Sequence, residues 1–329
     1  MNTAELGTDI LREVSRSFYL TLKLLPSEFR GPLSLGYLLA RLSDTIADAG
    51  SIDLARRQAL LEQFCSLLSG PARRSDIQKF ACALPGELEG SGLERGEWDL
   101  VLRAADCFDW LDMMERKVGS HIRKVVGIIA GGQSWDLQRF AGDSVVRLAE
   151  DDELESYAYQ VAGCVGEFWT EIGFTCSDRF AREDRATLLR WGANYGKGLQ
   201  LVNILRDVPE DLARGRCYLP GRGSVEAEEL GAELPRWQIR ARELLADGLR
   251  YTAALHGSRL RMSTGLPALL GGRTLDRLEN ASWADLEMRV KISRGEVKRS
   301  LWGAYARSAP WLPGSWKGEY RRACQRLAS

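Results

Sequence analysis

Asn203-Ile204-Leu205-Arg206-Asp207-Val208-Pro209-Glu210-Asp211 places three side-chain oxygen donors, Asn203, Asp207 and Asp211, at i, i+4 and i+8. On a helix such positions share one face, with successive Cβ atoms about 5–6 Å apart. Arg206 and Arg216 lie close enough in sequence to meet a phosphate, and Arg suits that task because its planar fork pairs bidentately with phosphate oxygens. Pro209 lacks an N–H and would clash with the Leu205 carbonyl, so the helix is expected to kink or end there and to carry Asp211 off ideal geometry. A salt-bridged helix terminus, served by Arg206, Arg214 and Arg216, is the plainer alternative.

A second acidic pair lies far upstream, in Tyr37-Leu38-Leu39-Ala40-Arg41-Leu42-Ser43-Asp44-Thr45-Ile46-Ala47-Asp48. Asp44 and Asp48 repeat the four-residue spacing near a helix end, where the dipole gives negative charge no help. Two carboxylates so placed repel unless a cation or proton lies between them. Mg²⁺ suits the arrangement, because it takes one or two carboxylates and completes its shell with water and phosphate oxygens. One such pair alone is commonly a solvated helix edge. Two on separate helices favour a metal–diphosphate held in a cavity.

Working outward, helical periodicity dominates. It predicts helices over Ala4–Leu25, Leu33–Ala49, Leu54–Leu68, Trp98–Ala130 (one or two), Asp152–Phe174, Arg182–Asp207, Pro235–His256, Leu266–Leu278 and Trp283–Tyr305. Pro26 and Pro32 punctuate the first connection, Gly70-Pro71 stops the third segment, and Gly131-Gly132 stops the fourth. No alternating, β-branched runs bounded by turns suggest strands. The expected architecture is all-α: one domain over residues 1–329, built as a helical bundle around a central cavity. A basic, tryptophan-containing tail occupies about 303–329.

Composition excludes several function classes. Forty-five Lys and Arg balance forty-five Asp and Glu, so no global field attracts nucleic acid. Two histidines, 121 and 256, make a zinc site or a histidine-centred triad a poor expectation. Seven dispersed cysteines without a CxxC pair suit reduced thiols in a cytoplasmic compartment. No signal-peptide pattern and no run of about 18 uncharged apolar residues is present. Between Lys291 and Ser329, nine Lys and Arg face two Glu. There Trp302, Trp311 and Trp316 alternate with Lys298, Arg299, Lys317, Arg321 and Arg322. Such a tail suits either packing on the domain or peripheral contact with an anionic bilayer.

With these residues in view, the chain resembles the squalene/phytoene synthase family. Ser15-Arg16-Ser17-Phe18-Tyr19 looks like the family's SRSF element, and Tyr37–Asp48 like its first aspartate motif. Tyr157-Ala158-Tyr159-Gln160-Val161-Ala162-Gly163-Cys164-Val165-Gly166 is similar to the YCxxVAGxVG stretch. Gln200-Leu201-Val202-Asn203 through Asp211 to Arg216-Cys217-Tyr218-Leu219-Pro220 resembles NILRDVxEDxxxGRxYLP. The Asp44-Thr45 start is nearer the squalene-synthase form of the first motif. The second motif is of the NILRD type, unlike the NSE type of one-site terpene cyclases.

The resemblance implies a Mg²⁺-dependent transferase joining two farnesyl diphosphates, or similar prenyl diphosphates, head to head. Asp44, Asp48, Asp207 and Asp211 would be catalytic metal ligands, with Asn203 in support. Ser15, Arg16, Arg41, Gln200, Arg206 and Arg216 would bind substrate, with Phe18 and Leu22 lining the isoprenoid tunnel or simply packing helices. Tyr157 and Tyr37 would guide a proton or shield an allylic cation, ordinary core packing being the alternative. Squalene formation would need NADPH. The chain has no strand–GxGxxG–helix unit, but Val290-Lys291-Ile292-Ser293-Arg294-Gly295 looks like the family's basic cofactor segment, making Lys291 and Arg294 candidates for its phosphates. Phytoene, dehydrosqualene, presqualene diphosphate or hydroxysqualene are the products expected without reduction. A non-catalytic isoprenoid-binding or assembly protein is the alternative from another class.

Overall fold

The structure, a computed structural model, describes residues 5–15, 18–70, 72–142, 144–309 and 315–328. It resolves into two compact units, residues 1–141 with 171–176, and 142–170 with 177–329. Both are helical, as the periodicity requires. Among the described residues the only β-ladder is a two-residue parallel pair, Val146–Arg147 with Arg216–Cys217.

The first unit is organised on the helix Ser27–Ala47, which packs against Arg116–Arg139. Leu35, Leu38, Leu39, Leu42 and Ile46 of the former are fully buried, leaving Asp44 and Asp48 at the C-terminal end. Pro32 does not separate two elements as expected. Pro26 caps this helix in extended conformation, and Pro32 sits inside its second turn, where it forfeits one backbone hydrogen bond without ending the helix. Leu54–Leu68 forms over the predicted span, opened by Asp53, which accepts from the Arg56 amide at 2.8 Å. Phe64 then meets Phe80 and Phe108 at 6.2 and 5.8 Å, bringing in a helix, Arg74–Glu87, that the periodicity had not signalled. The predicted Trp98–Ala130 segment is three helices, Arg95–Leu102, Ala104–Asp112 and Arg116–Arg139. The last runs through Gly131-Gly132, because the buried Val126, Ile129, Ala130 and Leu137 anchor it on both sides of the glycines.

The second unit is built on Arg185–Ala213, which packs against Ala227–Ala254 and against the segment Tyr159–Gly163. Pro209 neither ends this helix nor removes Asp211 from it: the helix continues a further turn to Ala213, so Asn203, Asp207 and Asp211 stay in helical register. Segment Tyr159–Gly163 is a π-turn between the helices Asp151–Ala158 and Cys164–Cys176. Here two backbones touch. A Cβ on Gly166 would lie 1.8 Å from the Gly192 carbonyl oxygen, and one on Gly196 would lie 2.1 Å from that of Ala162. Glycine is required at this seam for close approach.

Two further differences lie toward the C-terminus. The predicted Trp283–Tyr305 helix is broken into Trp283–Glu287 and Arg294–Ser308. Arg289 adopts φ +61°, ending the first piece, and a Ser293–Glu296 capping box starts the second. Of the three tail tryptophans, Trp316 is buried, donating from Nε1 to Ser308 Oγ at 3.2 Å; Trp302 is exposed, and Trp311 lies outside the described residues.

The glycine seam yields a stability test. Gly192→Ala should lower the thermal midpoint by an amount equivalent to about 1–3 kcal/mol or more, because the Gly166 carbonyl, 2.6 Å from the added carbon, and Thr170 Oγ1, 3.1 Å from it, leave the methyl no room. Gly127→Ala, at a helical position where a Cβ meets nothing within 4 Å, should raise stability by about 0.5–1 kcal/mol. Thermal unfolding of the two variants checks both signs.

Candidate active site

In the first unit the helix Ser27–Ala47 delivers Arg41, Asp44 and Asp48 to its C-terminal end, with Asp48 as the C-cap residue. Gln133, from Arg116–Arg139, donates from Nε2 to Asp44 Oδ1 at 2.5 Å. Arg41 Nη1 lies 3.5 Å from Asp44 Oδ2, and its Nη2 donates to Glu97. Burial, then the neighbouring Asp48 charge, push the Asp44 carboxyl up to about 6; Arg41 and Gln133 pull it the other way. The Asp44 side chain is nevertheless 45% exposed, so its outer edge is open to a cation. Burial opposes the Arg41 charge, but Asp44 and Glu97 outweigh it and hold the guanidinium above its ordinary pKa. Arg41 Nε and Gln133 Oε1 are buried without a hydrogen-bond partner among the described residues, so the polar capacity around Asp44 is only partly used.

The aromatic candidates here are packed. Tyr37 donates its hydroxyl to the Val14 carbonyl at 3.0 Å and stacks on Phe18 at 5.3 Å. Ser15 is buried and donates to the Leu11 carbonyl, and Leu22 is fully buried. Arg16 lies outside the described residues.

In the second unit, Asp207 is held by arginine on both oxygens. Arg206 donates from Nε to Oδ1 at 2.9 Å and from Nη2 to Oδ2 at 2.5 Å. This hydrogen bond to Asp207 is the chief reason that the Arg206 pKa is raised, ahead of the opposing effect of burial. Arg289 approaches from the break after Glu287, with Nε 3.5 Å from Asp207 Oδ1 and Nη2 3.3 Å from Glu210 Oε2. Asn203 is exposed on the same helix, and Gln200 is half-buried one turn before it. Arg216 lies in the short strand pair opposite Val146, and Arg147, opposite Cys217, fixes the following loop by donating to the carbonyls of Leu219, Pro220 and Ser224. That loop presents Tyr218, which stacks on Tyr157 with ring centroids 5.0 Å apart and hydroxyl oxygens 3.4 Å apart. Lys291 and Arg294 are exposed on the segment that begins beside Arg289.

Both carboxylate sets fit Mg²⁺ in their chemistry. Every donor is a hard oxygen, and Asp44 and Asp48 share the negative end of a helix, where a cation relieves both the dipole and their mutual repulsion. Among the described residues no three His, Cys, Asp or Glu side chains converge into a closed ion cage. An open site of one or two carboxylates leaves the remaining positions to water and phosphate. A cavity of about 480 Å³ in the second unit is lined by Arg242, Leu245, Arg273 and Arg307 among others, and by none of the motif residues.

Four residues in these arrangements were not singled out from sequence: Gln133, Glu97, Tyr218 and Arg289. Gln133 and Glu97 lie 89 and 56 positions from their partners, where no local pattern could connect them. Tyr218 lies within the quoted second motif, and Arg289 directly precedes the quoted basic segment, so both had a signal in the sequence around them.

Comparison with known proteins agrees with the motifs. The squalene/phytoene synthase family profile matches residues 11–296. A phytoene synthase from Thermus thermophilus is 34% identical over 185 residues, which cover 52% of this chain and 60% of that protein. A probable squalene synthase from Neurospora crassa is 26% identical over 308 residues, covering 87% of this chain and 59% of the relative. The chain therefore spans about 60% of the length of each of these two relatives. Among solved structures, TcSQS in complex with a ligand superposes with a TM-score of 0.77 at 21% identity, over 98% of this chain and 90% of that one. That likeness shows the fold, an all-α isoprenoid-synthase bundle. Taken with the match over residues 11–296, it shows that this chain belongs to the squalene/phytoene synthase family.

Proposed function

We propose that the protein joins two farnesyl diphosphates head to head through presqualene diphosphate, with Mg²⁺, and then reduces the product to squalene with NADPH. The observation that carries this reading is that each unit holds a helical carboxylate set already paired with guanidinium: Arg41 on Asp44, and Arg206 with Arg289 on Asp207. Such a set is suited to exchange partners, its carboxylates taking a divalent cation and its arginines taking phosphate oxygens.

Mg²⁺, held by Asp44 and Asp48 in one unit and by Asp207 and Asp211, with Asn203 in support, in the other, would supply charge neutralisation to a departing diphosphate. The chain's own residues do the rest. Arg41, Arg206, Arg289 and Arg216 bind diphosphate oxygens and stabilise negative charge as the allylic C–O bond of one substrate breaks. The C2–C3 double bond of the second substrate attacks the resulting allyl cation, and proton loss closes the cyclopropane of presqualene diphosphate. Tyr157, its hydroxyl beside that of Tyr218, is the group we assign to hold or pass that proton, and the stacked pair presents π-density to the cation. Loss of the second diphosphate opens the cyclopropane to a rearranged allylic cation, and NADPH would supply the hydride that quenches it as squalene. Lys291 and Arg294, exposed two and five positions beyond Arg289, are the residues we assign to the NADPH phosphates.

A second reading ends in proton loss instead of reduction, giving phytoene or dehydrosqualene. The likeness to the Thermus thermophilus phytoene synthase favours it. Incubation with farnesyl diphosphate and Mg²⁺, with and without NADPH, separates the two. Squalene formed only with NADPH is the expected result, and a non-reduced product in its presence overturns the reductive step. Lys291→Ala/Arg294→Ala should keep farnesyl diphosphate consumption while shifting product from squalene to presqualene diphosphate or a non-reduced hydrocarbon.

Asp44 supplies a prediction in metal-free protein. Its folded pKa, about 6, lies above the ordinary 3.8, so its favourable contribution is fully present below about 4 and is lost as pH rises through 6. Asp44→Asn mimics the protonated form. Without metal it should raise the thermal midpoint at pH 7.5, with the advantage shrinking toward pH 4.5, while turnover with Mg²⁺ is abolished. A variant less stable than wild type at pH 7.5 would contradict the assigned charge strain.

A further inference from the structure

The helix Arg294–Ser308 is turned inside out relative to an ordinary surface helix. Its buried positions are the small residues Ser300, Ala304 and Ser308, spaced i, i+4, i+8 and facing inward, and it packs against Ser258–Leu278. Its outward face instead carries its largest aromatics. Trp302 is 70% exposed and Tyr305 51% exposed, their rings in edge-to-face contact at 5.9 Å. Lys298 and Arg299 flank them, also exposed, and neither pairs with a carboxylate among the described residues. The carboxylates tied to the helix are engaged away from Lys298 and Arg299: Glu296, in its first turn, is held by Arg277 and Ser293, and Glu319 pairs with Arg307 of the helix's last turn and with Arg322.

An exposed Trp–Tyr pair is expensive to leave in water, and its indole N–H and phenol O–H suit a boundary that is apolar on one side and wet on the other. Unpaired Lys and Arg beside it give the face one sign of charge. A protein interface of this size would bury aromatics against a shaped partner and pair its cations individually; a lipid surface needs only apolar insertion and a diffuse negative field. We propose that this face, Lys298, Arg299, Trp302 and Tyr305, seats the protein on an anionic bilayer, with the two rings at headgroup level and the two cations on the lipid phosphates. The buried Trp316 takes no part, and no helix of the described residues is long and apolar enough to cross a membrane. The contact is thus made from the side of one helix, and it is independent of which prenyl product the active site forms.

Co-sedimentation of the full chain with phosphatidylglycerol/phosphatidylcholine vesicles, against phosphatidylcholine alone, tests this. Wild type should bind the anionic vesicles at least about tenfold more tightly, with binding falling as salt is raised. Trp302→Ala/Tyr305→Ala should weaken that binding by about tenfold or more, and Lys298→Glu/Arg299→Glu should remove the anionic preference. Both variants should retain wild-type turnover on detergent-dispersed substrate. Met113→Ala, removing an equally exposed apolar side chain in the other unit, should change nothing. Wild type that ignores both vesicles, or variants that bind as it does, overturns the proposal. So does a wild-type dimer that these substitutions convert to monomer without any vesicle binding.

Discussion

Repulsion between carboxylates one helical turn apart governs how this protein is arranged. Burial, and after it the charge of Asp48, push the Asp44 carboxyl up to about 6, and both carboxylates sit at the helix end where the backbone dipole adds further negative potential. The second helix repeats the spacing in Asp207 and Asp211. A chain that spent such positions on stability alone would replace one carboxylate with a neutral side chain. Here the charge is instead balanced by arginines, Arg41 in one unit, Arg206 and Arg289 in the other. Those guanidiniums are chemically matched to the phosphate that would accompany a divalent ion.

The scaffold keeps these groups in place by close packing away from them. Gly166 against Gly192, and Gly196 against Ala162, let the long helix Arg185–Ala213 lie backbone to backbone on its neighbour. Arg147, nearly inaccessible, clamps three carbonyls of the loop after Arg216 and so holds Tyr218 on Tyr157. In the first unit, Asp44 is aimed by a hydrogen bond from Gln133, and Arg41 is shared with Glu97. Each carboxylate set is thus met both from inside its motif, by Arg41 or Arg206, and from outside it, by Gln133 on Asp44 and Arg289 on Asp207.

Much of this was legible in the sequence, and the limits have physical causes. The helical class, the span Leu54–Leu68 and the two acidic faces follow from periodicity and spacing. Proline and glycine punctuation was the weak point. Pro32, Pro209 and Gly131-Gly132 each carry a local penalty of helix disruption, yet long flanking runs of buried side chains outweigh it, so the helices continue. Conversely, the break after Glu287 is set by a single left-handed residue, Arg289, that periodicity does not register. Gln133 and Glu97 were invisible for a different reason: their contacts arise only when separate helices pack, and no spacing rule reaches across that distance.

The claim that these carboxylates form a divalent-metal and diphosphate site is tested most directly by counting Mn²⁺, a spectroscopic substitute for Mg²⁺. Electron paramagnetic resonance titration of the purified chain, with and without inorganic diphosphate, gives the number and affinity of bound ions. The account predicts at least two Mn²⁺ per chain when diphosphate is present, weak binding without it, and loss of bound ions in both Asp44→Asn and Asp207→Asn. Mn²⁺ binding that is indifferent to diphosphate and unchanged in both variants would contradict it.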